Sequence, residues 1–126
     1  MQIKSKKILI FLFLIFYLLN NTNLKADEFN ITAKEVIVDK ENKIIKGTGD
    51  VEVIDSEKRI INANKIIYEK QKKFLSAEGN VKIKDFNGNI LTSEKATFDQ
   101  INNIISTFGN SKLSTTEGYK LSTKNI

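Results

Sequence analysis

Through most of the chain, apolar and polar residues alternate. Ile45, Gly47, Gly49, Val51 and Val53 share one parity, while Lys46, Thr48, Asp50 and Glu52 take the other. A period of two is that of a β-strand with one buried face and one wet face. The run returns as Leu75, Ala77, Gly79, Val81 and Ile83 against Ser76, Glu78, Asn80 and Lys82. It returns more weakly a third time, with Ile105, Leu113 and a polar Ser111, and there Phe108 falls on the polar side. Glycine in mid-strand gives up packing and chain entropy, so its recurrence at 49, 79 and 109 predicts a bend or bulge where one sheet turns into another.

Shifting the chain against itself by 30 residues aligns Ile31-Thr-Ala33, Ile61-Asn-Ala63, Leu91-Thr-Ser93 and Leu121-Ser-Thr123 without slippage. Such a period marks stacked units, none of which can bury its apolar face alone. The first strand of each unit changes phase: Ile61 and Ala63 share one parity, then Ile66 and Tyr68 take the other, as Val36, Val38, Ala96 and Phe98 do in their own copies. A parity switch implies a bulge or a strand that swaps its inward face. Polar links at 39–43, 69–73, 55–58 and 85–89 supply turns, and Asn87-Gly88 is a hairpin signal. The pattern predicts an all-β domain of roughly ten antiparallel strands in two facing sheets with open ends. Unpaired edges are an aggregation hazard unless another chain continues the sheet.

The first 26 residues follow a different rule. Lys4, Lys6 and Lys7 precede an unbroken apolar run from Ile8 to Leu19, then a polar stretch leads to Leu24-Lys25-Ala26. Twelve apolar residues rise only about 18 Å as a helix, short of the roughly 30 Å hydrocarbon core. Residues 1–26 are therefore expected to be a cleaved signal helix, with an uncleaved anchor as the alternative, and residues 27–126 the exported domain. Without the leader, 16 basic residues face 15 acidic ones, a net charge of +1. The basic character of the whole chain belongs largely to the leader, and a nucleic-acid partner loses its main support. Neither Cys nor His occurs, so disulfides, thiol nucleophiles, imidazole bases and the usual zinc sites are excluded.

The segments Ile61-Asn-Ala63-Asn-Lys-Ile-Ile-Tyr68, Leu75-Ser-Ala77-Glu-Gly79-Asn-Val81-Lys-Ile83 and Gly88-Asn-Ile-Leu91 resemble the OstA-like repeat of the LptA family of lipopolysaccharide-transport proteins. The resemblance covers residues 31–126. It implies an open-ended two-sheet β-jellyroll in the periplasm, with lipid A acyl chains passing along an apolar groove from inner to outer membrane. It also implies partners: an LptC-like inner-membrane protein, an LptD-like outer-membrane barrel, and copies of the same chain joined head to tail, all through edge strands. An LptC-like anchored component, or a fragment like the N-terminal domain of LptD, is the alternative within the pathway. Acyl chains need a continuous apolar trough, since each buried methylene is worth about 0.8 kcal/mol. Candidate wall residues are Ile45, Val51, Val53, Leu75, Val81, Ile83, Ile105 and Leu113, with Val36, Val38, Ile66, Tyr68 and Phe98 on the first strand of each unit.

A carrier of this kind requires no cofactor or metal, and the sequence has no Gly-rich phosphate loop. Catalysis by paired carboxylates is the first rival, but Asp39, Glu69 and Asp99 recur because they hold the same turn of each unit, so no enzyme is expected. A structural β-solenoid adhesin is the second, and differs in having a dry, closed interior.

Overall fold

The computed structural model describes residues 29–126; the expected signal helix lies outside them. Eight strands follow one another: β1 (Asn30–Thr32), β2 (Glu35–Asp39), β3 (Ile44–Ile54), β4 (Ile60–Glu69), β5 (Phe74–Lys84), β6 (Ile90–Asp99), β7 (Ile104–Ser114) and β8 (Lys120–Asn125). All pairs are antiparallel, in the order β1-β3-β4-β5-β6-β7-β8, with β2 also on β3. Among the described residues the strand count is thus eight rather than roughly ten. The parity switch lies inside continuous strands β4 and β6, and only the first copy breaks there, into β1 on one half of β3 and β2 on the other.

A one-residue mismatch sets the shape. Strands β3, β5 and β7 have 11 residues where β4 and β6 have 10. Thr48 pairs with Lys65 but Val51 pairs with Ala63, so β3 advances three residues while β4 advances two. The extra residue is taken up by Gly49 and Asp50, with φ of 79° and 44°; Gly79-Asn80 and Gly109-Asn110 repeat this at 82° and 48°, and at 80° and 45°. Glycine enters the left-handed region freely, and Asp and Asn are the side chains that best tolerate it. The long strands keep their inward parity through the bulge and the short strands switch theirs, so both halves of every strand turn their apolar residues to the same side.

The two layers are therefore the two halves of one hydrogen-bonded sheet, folded along the line of bulges. A flat sheet with nothing packed on it could not take Val53 to 0% exposure, yet residues from both halves join one core that includes Val51, Val53, Ile61, Ile66, Leu75 and Val81. At Gly47 the halves come so close that a Cβ would sit 3.5 Å from Ile31, whose strand pairs with the other half of β3.

The turns repeat as well. Asp39 accepts hydrogen bonds from the Asn42 backbone (3.0 Å) and Nδ2 (2.9 Å), and Asp99 accepts the same pair from Asn102 (3.1 and 2.7 Å). These bonds hold both carboxyls below their usual range: the backbone bond from Asn42 is the main cause at Asp39, the side-chain bond from Asn102 at Asp99. At Asp85, burial pushes the pKa up, but the bonds from Asn89 and the following turn outweigh it and the net shift is downward. Of the recurring acids, Asp39 and Asp99 cap their turns, while Glu69 at the equivalent position pairs with Lys72 at 3.2 Å.

Candidate functional site

The inner face of the folded sheet is where the chain gathers its apolar side chains, and the structure grades it along the stack. Of the candidate wall residues, Val51, Val53, Ile66, Tyr68, Leu75, Val81, Ile83 and Phe98 are buried together in the middle. Ile45, Ile105 and Leu113 are half-buried. Val36 and Val38 share the inner face by register, opposite Gly47 and Ile45, but β2 is an edge strand and Val38 is 52% exposed. At the other end Leu121, opposite Leu113, is also 52% exposed. The interior is thus packed at its centre and open at both ends.

One seam between the halves is fastened. The ring of Phe29 meets Tyr68 edge-on at 4.8 Å and Phe98 at 5.7 Å. Arg59, the only arginine among 20 basic residues, lies with its guanidinium 4.6 Å from the centre of the Phe98 ring and donates from Nε to Asp55 Oδ2 at 2.6 Å. Asp55, itself buried, also accepts the backbone N–H groups of Glu57 and Arg59 at 2.9 Å. Arginine suits this position because its planar, weakly hydrated head can stack on a ring and pair with a carboxylate together. Next to it the Tyr68 hydroxyl donates to Gln100 Oε1 at 3.1 Å. The turn after β3 is thereby tied to β4 and β6 in the opposite half.

Near the bend the third repeat is polar inside. Thr107 and Ser111 are fully buried and Ser93 nearly so. Thr107 donates from Oγ1 to Ser111 Oγ at 2.7 Å, and Ser93 Oγ lies within bonding distance of the Phe108 carbonyl (2.8 Å), the Lys95 carbonyl (3.0 Å) and Ser111 Oγ (3.3 Å). No buried side-chain polar atom lacks a partner among the described residues, so the cluster is satisfied and costs little. The equivalent positions one unit earlier are Ala63, Ala77 and Val81.

Sequence reasoning missed the seam and the hydroxyl cluster as units. The cluster had a signal, three hydroxyl residues at otherwise small apolar positions of the repeat. Arg59 had one in being the sole arginine. Phe29 had none, since it precedes the first repeat. Among the described residues no group of acidic side chains is placed to hold a metal ion.

A continuous sheet of bulged, 30-residue units with an apolar inner face defines a class, the open-ended β-jellyroll of the LptA-like fold. A solved example is LptH from Pseudomonas aeruginosa, the LptA homologous periplasmic component of the conserved lipopolysaccharide transport device. It superimposes with a TM-score of 0.70 at 13% identity, over 79% of this chain and 74% of that one. No protein-family model and no curated protein matches the sequence.

Proposed function

We propose that this chain is a periplasmic, lipopolysaccharide-binding carrier that passes its lipid between the inner and outer membranes along the inner face of the folded sheet. The observation that carries this reading is the inner face, apolar in every repeat apart from the hydroxyl cluster near the bend of the third, which opens at both ends, at Val36 and Val38 and at Leu113 and Leu121. Acyl chains entering there replace water at exposed apolar surface, and sugars and phosphates stay outside. The packed centre means that a chain passing farther must spread the two halves. The likeness to a periplasmic component of a lipopolysaccharide transport device supports both the cargo and the compartment. Partners would be an LptC-like protein of the inner membrane and an LptD-like barrel of the outer membrane, added to the free edges of β2 and β8, with head-to-tail self-association by the same edges. The role is binding and transfer, not catalysis.

Photoreactive residues at Val38, Leu121 and Val53, exposed to labelled lipopolysaccharide, test the reading. Adducts at the two end positions, and at Val53 once lipid is loaded, are expected. Adducts confined to outward positions such as Lys46 and Lys82 would overturn it.

A further inference from the structure

The outer faces of the two halves differ in charge. On the half that contains the first part of each long strand, Lys65, Glu78 and Lys95 are direct cross-strand neighbours, so signs alternate. On the other half, Lys82 and Lys112 flank Thr92 in one row, whose acid, Glu52, stands beyond Asn62, and Lys84 and Lys120 stand in the next row with Ile90 and Ser114 between them; nearby Glu94 accepts from Asn110 Nδ2 at 2.9 Å. All four lysines are exposed, and none forms an ion pair among the described residues. Two strand spacings place Lys82 and Lys112 about 10 Å apart, close enough to repel and to act on one anionic surface.

The turns bordering these rows carry exposed aromatics. Phe86 is 74% and Tyr119 71% exposed, each on the turn that follows or precedes a lysine of the second row. These turns are ordered: the Thr116 N–H donates to Asn89 Oδ1 at 3.0 Å, linking one rung to the next, and Lys58 Nζ stands 5.9 Å from the centre of the Phe86 ring. Asp85 and Glu117 are the acids on these two turns, and Asp85 is already engaged by Asn89. A fixed ridge with two exposed rings, backed by two rows of unpaired lysines, has the chemistry of a membrane-water interface, where rings sit at headgroup depth and lysines reach phosphates.

We propose that this ridge and the lysine rows behind it dock on an anionic lipid bilayer, with Phe86 and Tyr119 at the headgroup level and Lys82, Lys84, Lys112 and Lys120 on the phosphates. The proposal stands apart from the carrier reading, because it uses the outer face and needs no lipid inside the sheet.

The test uses the full chain as an exporting cell processes it, with vesicles of phosphatidylcholine containing about a quarter phosphatidylglycerol, close to the surface potentials at which lysines are attracted. Reversing the four lysines (K82E, K84E, K112E, K120E) is expected to lower the vesicle-bound fraction at least about tenfold, as is adding salt. Reversing Lys46, Lys65 and Lys95 is expected to leave it within about twofold, as these lysines lie across the bend from the proposed contact. The chain has no tryptophan, so Phe86→Trp adds a single indole that reports its own surroundings. Its emission should shift to the blue on anionic vesicles and become protected from aqueous quencher. An indole that stays quenchable, equal losses from both sets of reversals, equal binding to uncharged vesicles, or capture of soluble anionic polysaccharide without vesicle binding would each overturn the proposal.

Discussion

Strands β5 and β7 pair, bend and turn alike, yet they line the interior differently: Leu75, Ala77, Val81 and Ile83 in one, Ile105, Thr107, Ser111 and Leu113 in the other. The backbone is set by what the two share, the Gly-Asn bulge and the polar turns, and not by the hydrophobicity of the inner positions. Once the bulge fixes which side chains face inward, a hydroxyl is tolerated wherever a partner is in reach. Ser111 has Thr107 and Ser93 as neighbours, whereas at Val81 the corresponding positions are Ala77 and Ala63, which offer no such bond. An OstA-like architecture can therefore hold its shape while its inner surface changes from one repeat to the next.

The comparison breaks most visibly in the core. Leu75→Ala should cost about 3 kcal/mol, and Ile105→Ala at the equivalent but half-buried position about 1 kcal/mol. Urea denaturation measures both, and equal losses would mean that the third repeat is packed as tightly as the second. Cutting the seam comes next: Asp55→Ala should cost about 3 kcal/mol at most, since it strands the Arg59 guanidinium against Phe98 and frees two backbone donors. Arg59→Lys, which keeps the charge and loses the stacking fork, should still cost more than half as much in the same assay.

Bend substitutions test whether the two repeats really share a backbone device. Gly79→Ala and Gly109→Ala should each cost about 2 kcal/mol, because φ is 82° and 80° and the new Cβ meets Asn64 or Glu94. A Gly109 variant as stable as the parent chain would show that the third bulge is dispensable. Ser111→Ala should cost about 1 kcal/mol by leaving Thr107 without its acceptor, and Ser111→Val, which restores the residue type of the second repeat, should lose no more.

The smallest effect is one of acidity. The folded state holds Asp39 and Asp99 below 3.8, so their contribution is present above that value and is lost as pH falls through the folded-state values. The urea midpoint should be flat near neutrality and decline in acid. Replacing both by Asn should make the acid limb shallower.

Period two, the repeat of 30 residues and the bend at the glycines were legible because each is a local demand written on consecutive residues. The face of every wall candidate could be read the same way, since parity alone decides it. How tightly the faces close could not. Val38 and Val53 obey the same inward rule, but one lies on an edge strand at 52% exposure and the other at 0%. That difference depends on how many rungs flank a residue and not on its neighbours in sequence. The seam was hidden for a related reason: Phe29 precedes the first repeat, Arg59 lies near the end of it and Phe98 is in the third, and they meet only because the sheet folds back on itself.

The bulges also act mechanically. They fall in register on successive rungs, so they form one straight crease across the hydrogen bonds of the sheet. A creased sheet resists twisting and yields mainly to opening, like a book along its spine. Prising the two leaves apart at one rung therefore loads the next, and the interior should widen as a unit along its length instead of blistering at one place. The clasp of Asp55, Arg59 and Phe98 sits at the free margin of the leaves, far from the spine, where a small bond has the greatest leverage against opening.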